Sequence, residues 1–431
     1  MNIVYLNHYA GSPRHGMEYR PYYLAREWVR AGHAVTMLAA SYSHVRATQP
    51  ADARGQPLAV PANEQIDGIS YRWYPAPAYL GNGLGRVKNI WAFLRQLWSA
   101  APTLVAELQP DVVIASSTYP MDIWVARRIA RLARARLVFE VHDLWPLSPI
   151  ELSGMSRWHP FIMLCQAAED AAYRDADLVV SMLPKVAGHM SGRGLDLARL
   201  IVVPNGISPD DWAVPVEGAA APLRADVAAA IGHARAMGRS VVGYAGSMGL
   251  PNALDDLLDA LKLLAARQPG EAARLQVVLV GDGHERQRLQ QRIAAEGLET
   301  LAVWLPPIPK AQIPALLAAI DIAYIGWQKV PIYRFGIAPN KLMDYMMAGC
   351  TVLHAVEAGN DPVAEAGCGL TVAPQDPAAI AAGLLRLASL PADECAAMGA
   401  RGRAFVQAEH SYPVLARRFM DAVAQAPRRG A

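Results

Sequence analysis

The sequence predicts an α/β protein in which a doubly wound parallel sheet occurs twice. Short apolar runs rich in β-branched residues recur along the chain, and each is followed by a stretch with helical periodicity. Continuous apolar strands that alternate with helices are typical of parallel sheets covered on both faces. A run of turn-forming residues, 204–211, separates two such series. We therefore expect two Rossmann-like domains that face each other across a cleft.

The predicted strands share β-branched centres and are bounded by turn formers. They are residues 2–6, 34–38, 69–73, 111–116, 136–141, 177–181 and 200–203 in the first series, and 240–245, 275–280, 301–305, 321–325 and 351–354 in the second. Helical periodicity is clearest over residues 22–31, 121–135 and 161–175. We place an N-terminal domain at residues 1–205, a C-terminal domain at 206–405, and a last helix at 406–431 that packs back toward the N-terminal domain.

The composition excludes several classes of protein. Apolar residues make up 53% of the 431 residues and charged residues 18%, which suits large cores and excludes a disordered chain. A net charge of +2 without a long basic block argues against wholesale nucleic-acid binding. Four scattered cysteines indicate free thiols in a reducing compartment. We expect a cytoplasmic protein that could still touch the inner face of the cell membrane.

Residues 333–349, YRFGIAPNKLMDYMMAG, have the features of a phosphate-binding helix start. A proline precedes a run of strong helix formers, so we predict a helix from near Asn340, with Asn340 itself as the N-cap. The amides of the first turn carry a partial positive charge suited to a diphosphate. The preceding residues Phe335, Gly336 and Ile337 form a loop in which the glycine lets the backbone approach a ligand closely.

Two charged side chains of this helix suit the same nucleotide. Lys341 can donate a charge-assisted hydrogen bond to phosphate, worth about 1.5–3 kcal/mol, which exceeds the roughly 0.3–1 kcal/mol that its position in the helix dipole costs. Asp344 follows one turn later on the same face and can accept hydrogen bonds from both hydroxyls of a ribose. The alternative is an ordinary capped helix with a solvated lysine and aspartate.

An ordered set of motifs resembles a known family. The C-terminal motifs are FGIAPNKLMDYMMAGCTV, PNGI, GDG and DPVAEAGCGLTV, and the N-terminal motifs are HYAGSPRHGMEYRPYYLAREWVRAGHAVTMLAASYSHVR and FEVHDLWPLSP. Together they resemble the retaining glycosyltransferases of family 4, and the N-terminal ones resemble the branch of bacterial L-fucosamine-type transferases of surface-polysaccharide synthesis. The resemblance implies the GT-B fold and metal-independent transfer of a hexosyl or N-acetylaminosugar group. It implies a nucleoside-diphosphate sugar as donor, UDP-linked in preference to GDP-linked, and a saccharide acceptor carried on a polyprenyl diphosphate.

The chain departs from that family where the donor is held. Family members commonly carry two glutamates eight positions apart, and these positions hold Gly336 and Asp344 here. The resemblance thus leaves Asp344 as the ribose contact, while the donor sugar must be held by other groups. Many members also have an arginine and a lysine after the first strand of the C-terminal domain, where this chain has Ser247 and Asn252. The diphosphate must then be met by the amides of the loop from Gly246 to Gly249 and by Lys341.

Three further groups of residues belong to the predicted site: residues 281–283, residues 142–143 and the loop 11–20. Gly281, Asp282 and Gly283 follow a strand and by resemblance lie near the nucleobase, although a simple strand-to-helix turn would use the same glycines. His142 and Asp143 end the strand 136–141, where a Rossmann-type sheet presents ligand-facing residues, and we expect both to act in catalysis. The alternative is a histidine with a structural role at the strand end.

The loop after the first strand, 11–20, borders the diphosphate and the acceptor by the same resemblance. Its residues Gly16, Met17, Glu18 and Arg20 are the predicted contacts. The alternative for this segment is a solvated loop without a ligand.

Residues 81–104 contain apolar and aromatic residues at helical spacing with basic residues nearby. Such a helix suits a membrane interface or a lipid carrier, but the same stripe could be buried in a core. The predicted function is transfer of a sugar from a nucleotide donor, with Lys341 as the catalytic cation. Two rivals share these features: a sugar-nucleotide epimerase of the same shape, and a catalytically silent sugar-nucleotide-binding protein.

Overall fold

A computed structural model describes residues 1–16, 19–81, 83–212 and 221–427. The chain divides into two compact units. The first consists of Met1–Asn205 together with the segment that starts at Tyr412, and the second is Gly206–Ser411. Each unit is an α/β layer structure of its own.

The first unit is built on one sheet flanked by helices. Its strands are β1 (Asn2–Leu6), β2 (Ala34–Ala40), β3 (Ala62–Ile66), β4 (Ile69–Tyr74), β5 (Val112–Ala115), β6 (Arg136–Val141), β7 (Leu178–Ser181) and β8 (Leu200–Val202). Its helices up to β8 are α1 (Tyr19–Arg30), α2 (Leu84–Leu108), α3 (Asp122–Ala133), α4 (Leu147–Ser153), α5 (Pro160–Asp175) and α6 (Ala187–Gly192). The strand order is β3-β4-β2-β1-β5-β6-β7-β8, and every pair is parallel except β3 with β4.

The second unit repeats the scheme with a smaller sheet. Its strands are β9 (Ser240–Ala245), β10 (Leu275–Val280), β11 (Ala302–Leu305), β12 (Ile322–Gly326), β13 (Thr351–Ala355) and β14 (Gly369–Val372). Its helices are α7 (Ala225–Ala236), α8 (Leu254–Arg267), α9 (Pro269–Ala272), α10 (Arg286–Ala295), α11 (Ile313–Ala318), α12 (Asn340–Ala348), α13 (Pro362–Ala366), α14 (Pro377–Ala388) and α15 (Ala392–Glu409). All strands are parallel, in the order β11-β10-β9-β12-β13-β14, so their carboxyl ends lie at one edge of the sheet.

These sheets confirm the prediction of two Rossmann-like domains. Each predicted strand is present with ends that differ by at most two residues. The sequence missed β3 and β14, which both lie at sheet edges. An edge strand is covered less than a central one, so the polar run ANEQI of β3 carries no apolar pattern that would reveal it.

The last helix, α16 (Tyr412–Gln425), belongs to the first unit. It packs on α1, where the indole Nε1 of Trp28 donates to the carbonyl of Ala416 at 3.2 Å and the ring of Trp28 lies 5.1 Å from that of Phe419. Both rings are almost fully buried, and burial of such a side chain contributes about 1.5–3 kcal/mol. The predicted domain limit after residue 405 is wrong as an element boundary, because α15 continues to Glu409. None of the helices in the described ranges is both long and apolar enough to cross a bilayer.

Candidate active site

Two loops of the second unit interlock at the carboxyl ends of the neighbouring strands β9 and β10. A Cβ atom on Gly281 would lie 1.9 Å from the carbonyl oxygen of Gly246, and one on Gly283 would lie 2.3 Å from that of Met248. Both positions also have strongly positive φ angles, +155° and +158°. Glycine is therefore required for the close approach of the GDG turn to the loop after β9. The packing of the two loops therefore explains the glycines of this turn, with or without a ligand.

Lys341, in the first turn of α12, reaches this pair of loops. Its Nζ donates to the hydroxyl of Tyr244 at 2.7 Å and to Oδ1 of Asn252 at 2.6 Å. It also lies 4.4 Å from the centre of the Tyr244 ring. Burial lowers the pKa of Lys341 to about 7, and no carboxylate among the described residues pairs with it. An ammonium group held among neutral partners is poised to gain from an anion that arrives beside it.

The loop after β9 offers the matching backbone donors. Gly246 and Met248 use their amides to bond Val280 and Asp282, whereas the amides of Ser247 and Gly249 bond none of the described residues. The Nζ of Lys341 lies 3.5 Å from the position that a Cβ on Gly246 would occupy. Two unbonded amides on every second residue, together with a nearby cation, form a concave site that binds anions. The expected pairing of these amides with Lys341 is thus geometrically available.

The helix start differs in one detail from the prediction. The N-cap of α12 is Pro339, and Asn340 is the first helical residue and makes no side-chain cap bond. Proline has the extended backbone that an N-cap needs, and Asn340 then adopts helical angles that take its side chain away from the cap. The first-turn amides consequently receive no side-chain acceptor from the cap. This leaves them available to an external anion.

The loop before α12 is held by a residue that the sequence analysis did not single out. The amide of Ile337 donates to Oδ1 of Asn360 at 2.7 Å, and the Asn360 side chain donates back to the carbonyl of Ile337 at 3.2 Å. Gly336 has a φ of +97°, which a residue with a side chain rarely adopts. Phe335 is buried under the guanidinium of Arg334, 4.3 Å from its ring centre. Asn360 thus fixes the backbone of this loop, and the side chains of Phe335 and Ile337 are buried.

Asp344 lies in a different environment from Lys341, although both belong to α12. Burial raises its pKa to about 7, while Lys310 and a hydrogen bond from the Trp212 side chain act in the opposite sense. Near neutral pH the carboxyl group is therefore close to half protonated. Such a group can accept a hydrogen bond from a hydroxyl when ionised and donate one when protonated.

In the first unit, His142 follows β6 and contacts a buried polar cluster. Its Nε2 lies 2.8 Å from Oγ of Ser116 and 3.3 Å from Oε2 of Glu140. Glu140 is fully buried, and although burial opposes ionisation, the Arg20 guanidinium at 2.9 Å and His142 lower its pKa well below the usual range. The Glu140 carboxylate and the Ser116 hydroxyl thus fix the orientation of the His142 ring. The acid in the apolar strand RLVFEV was the available sequence signal for this cluster.

Asp143 and Gly16, two further predicted contacts of the first unit, each stabilise a local turn of the chain. Asp143 accepts from the amide of Leu144 at 2.9 Å and from the hydroxyl of Ser148, so it organises the start of α4. Gly16 has a φ of +79° and closes a turn onto the carbonyl of Ser12 at 2.8 Å.

Arg20 does not lie in the loop where we expected it. It belongs to α1 and is buried, where it pairs with Glu140 and donates to the carbonyl of Val203 at 2.7 Å. Its guanidinium is thus a structural link between β6 and the end of β8. Met17 and Glu18 lie outside the described residues.

Two Rossmann-like units in one chain are the architecture of the GT-B glycosyltransferases. Residues 15–206 match the family model of the glycosyl transferase 4-like domain, and residues 239–389 match that of the glycosyl transferases group 1. The two matches cover most of the chain, and the protein belongs to the glycosyltransferases of the GT-B type. No curated protein matches the sequence.

Solved structures share the fold at low sequence identity. HepE of Anabaena, in complex with UDP-glucose, is 17% identical with a TM-score of 0.63, over 98% of this chain and 99% of that one. The sucrose-phosphate synthase of Thermosynechococcus elongatus is 17% identical with a TM-score of 0.70, over 99% of both chains. WaaG, a glycosyltransferase involved in lipopolysaccharide biosynthesis, is 14% identical with a TM-score of 0.62, over 98% of this chain and 99% of that one.

Proposed function

We propose that this protein is a retaining, metal-independent transferase that moves a hexosyl or N-acetylaminosugar group from a UDP-sugar to a lipid-linked saccharide. The observation that carries the proposal is the placement of Lys341 beside the open amides of Ser247 and Gly249, at the start of α12. A nucleoside diphosphate that departs as an anion needs such fixed positive charge. The two domain families of the chain are those of glycosyltransferases.

Each end of the donor has a partner in the second unit. Lys341 and the amides of the loop after β9 bind the diphosphate, and Asp344 accepts from the ribose hydroxyls. The turn 281–283 borders the base. Because position 336 is a glycine, the donor sugar can approach the backbone of the loop 335–337, where the carbonyl of Gly336 accepts from a sugar hydroxyl between Phe335 and Ile337. The acceptor hydroxyl attacks on the face from which the diphosphate leaves, so the anomeric configuration is retained.

His142 and Asp143 act on the acceptor side of the reaction. The Glu140 carboxylate keeps the His142 ring oriented. Asp143 holds the turn that follows β6 and with it the position of the imidazole. The likeness to HepE with UDP-glucose supports a UDP-sugar donor, and the likeness to WaaG supports a role in bacterial surface-polysaccharide synthesis. A lipid-linked acceptor would place the reaction at the cytoplasmic face of the membrane.

A transfer assay tests this function. The full chain is incubated with UDP-glucose or UDP-N-acetylglucosamine, with and without a lipid-diphosphate sugar, and the products are followed by NMR of the anomeric proton. We expect a new glycosidic bond of retained configuration only when acceptor is present, and the same rate with EDTA. Conversion of the donor without acceptor would instead identify an epimerase. Tight donor binding without any product would identify a silent binding protein.

A further inference from the structure

Three helices of the first unit, α2, α3 and α5, enclose an apolar groove of about 540 Å³. We call it the α2 groove; its walls include Val87, Trp91 and Trp98 of α2, Trp124 of α3, and Phe161 and Leu164 of α5. Pockets of about 300–1,000 Å³ with mainly apolar walls are the usual size for one small molecule. Along α2 the wall extends from Val87 to Trp98, about 16 Å at the helical rise. The groove is therefore long enough for a short hydrocarbon chain to lie along α2.

The large side chains of this groove remain in contact with water. Trp91 is 65% exposed, Trp98 45% and Leu164 44%, whereas Ile90 and Leu97 on the inner side of α2 are buried. The aromatic stripe of the sequence is thus divided between core and surface. Single exposed apolar residues are normal, but a contiguous exposed set marks a binding surface.

Basic groups surround the groove and select an anionic ligand. Arg95 and Arg127 line it, and Arg128 lies over the ring of Trp98 at 4.8 Å. Arg127 is paired with Asp175, but neither Arg95 nor Lys88 forms an ion pair with a described residue, and both are exposed. The surplus of positive charge beside an apolar channel complements an amphiphile with a phosphate head.

One end of the groove reaches the loop that follows β6. Phe161 of the groove wall packs edge-on against Trp145 with ring centres 5.9 Å apart. The guanidinium of Arg86 lies 5.7 Å from the Trp145 ring and 5.4 Å from the Tyr9 ring. Arg86 also donates to the hydroxyl of Tyr9 at 3.0 Å, and Trp145 is two residues from Asp143 in the sequence.

We propose that the α2 groove binds the hydrocarbon chain of the lipid-linked acceptor, a prenyl chain, and that Arg86 binds its diphosphate. The inference rests on the proposed transferase function and assigns the lipid subsite of that reaction. The groove holds one chain in extended form, and its open side lets the remainder of a longer chain leave toward a bilayer. Chain and diphosphate together fix the acceptor sugar near His142.

Calorimetric titration of the full chain with farnesyl diphosphate, below its micelle concentration, tests this subsite. We expect binding at least about tenfold tighter than that of farnesol or inorganic diphosphate, because both the apolar chain and the charge contribute. Trp91→Glu should weaken it by about tenfold or more, since a carboxylate then lies in the groove. Trp158→Glu is the matched control, because Trp158 is 71% exposed in the same unit and does not line the groove.

Equal effects of the two tryptophan variants, or equal binding of inorganic diphosphate, would overturn the subsite. Binding to vesicles of anionic phosphatidylglycerol without any binding of monomeric farnesyl diphosphate would also overturn it and assign the face to bilayer docking. The thermal shift caused by UDP-glucose shows whether a negative result concerns the lipid subsite alone or the proposed transferase function as well. If the shift persists while farnesyl diphosphate does not bind, only the subsite is wrong. If UDP-glucose causes no shift either, the transferase proposal fails.

Discussion

The Lys341→Met variant should lose about 10²–10³-fold in kcat/KM for the sugar-nucleotide donor, because removal of one fixed donor to a developing anion typically costs this much. Methionine keeps the length of the side chain and removes only its charge and hydrogen bonds. The wild-type ammonium group is already oriented by Tyr244 and Asn252, so the diphosphate gains a charge without reorganisation of the site. The loss should appear in kcat as well as in KM, since the charge on the diphosphate grows as the sugar bond breaks.

Two comparisons separate this effect from damage to the fold. Lys262→Met removes an exposed lysine of the same unit, which pairs with Glu296 at 3.4 Å, and should leave kcat/KM within about twofold. Folding lowers the pKa of Lys341, so below pH 7 the folded protein carries a buried charge that the unfolded chain would hold in water. The unfolding free energy of Lys341→Met at pH 6 should therefore not fall below that of the wild type. A change within about twofold in both kcat and KM would show that Lys341 does not hold the diphosphate.

Gly281→Ala should lower the unfolding free energy by about 3 kcal/mol, from overpacking and backbone strain together. The new methyl group would collide with the carbonyl oxygen of Gly246 at 1.9 Å, and a backbone oxygen cannot rotate aside as the end of a side chain could. The loop after β9 can only move away, which takes the amides of Ser247 and Gly249 out of register with Lys341. We therefore expect UDP binding to be lost along with stability, as measured by urea denaturation and by titration with UDP.

Gly232→Ala is the control for the glycine substitution. Gly232 lies within α7, and a Cβ there would meet nothing within 4 Å. Alanine in a helix interior is better than glycine by about 1 kcal/mol, so this variant should be slightly more stable and should bind UDP normally. Equal stability of the two variants would show that the interlocked loops do not depend on the glycine.

The fold was predictable because its signals are local. Buried parallel strands such as LQVVLV of β10 are continuous apolar runs, and the turn formers near Pro204 mark where the first series ends. The edge strand β3 was not predicted, because its sequence is polar and it pairs antiparallel with β4. The domain limit placed at residue 405 failed because no turn former interrupts α15 there.

The site was predictable only in part, since its contacts join residues far apart in the sequence. The helix start at Asn340 and the position of Lys341 follow from local pattern, but the bond from Lys341 to Asn252 joins residues 89 positions apart. The same holds for Asn360, which fixes Ile337, and for Glu140, which pairs with Arg20. The sequence predicted that Arg20 contacts a ligand from a loop, whereas its burial beside Glu140 reveals a structural role.

Proton uptake on UDP binding tests most directly whether Lys341 is the cation that meets the diphosphate. At pH 8 the free side chain, with a pKa of about 7, is mostly neutral, and Asp344, whose pKa is also about 7, is mostly ionised. A bound diphosphate raises the pKa of the lysine, which then takes a proton from the buffer. Titration calorimetry in buffers of different ionisation enthalpy should give an uptake of about 0.9 proton per UDP at pH 8, none with uridine, and none in Lys341→Met. Absence of uptake in the wild type, or equal uptake in Lys341→Met, would contradict the proposed donor site.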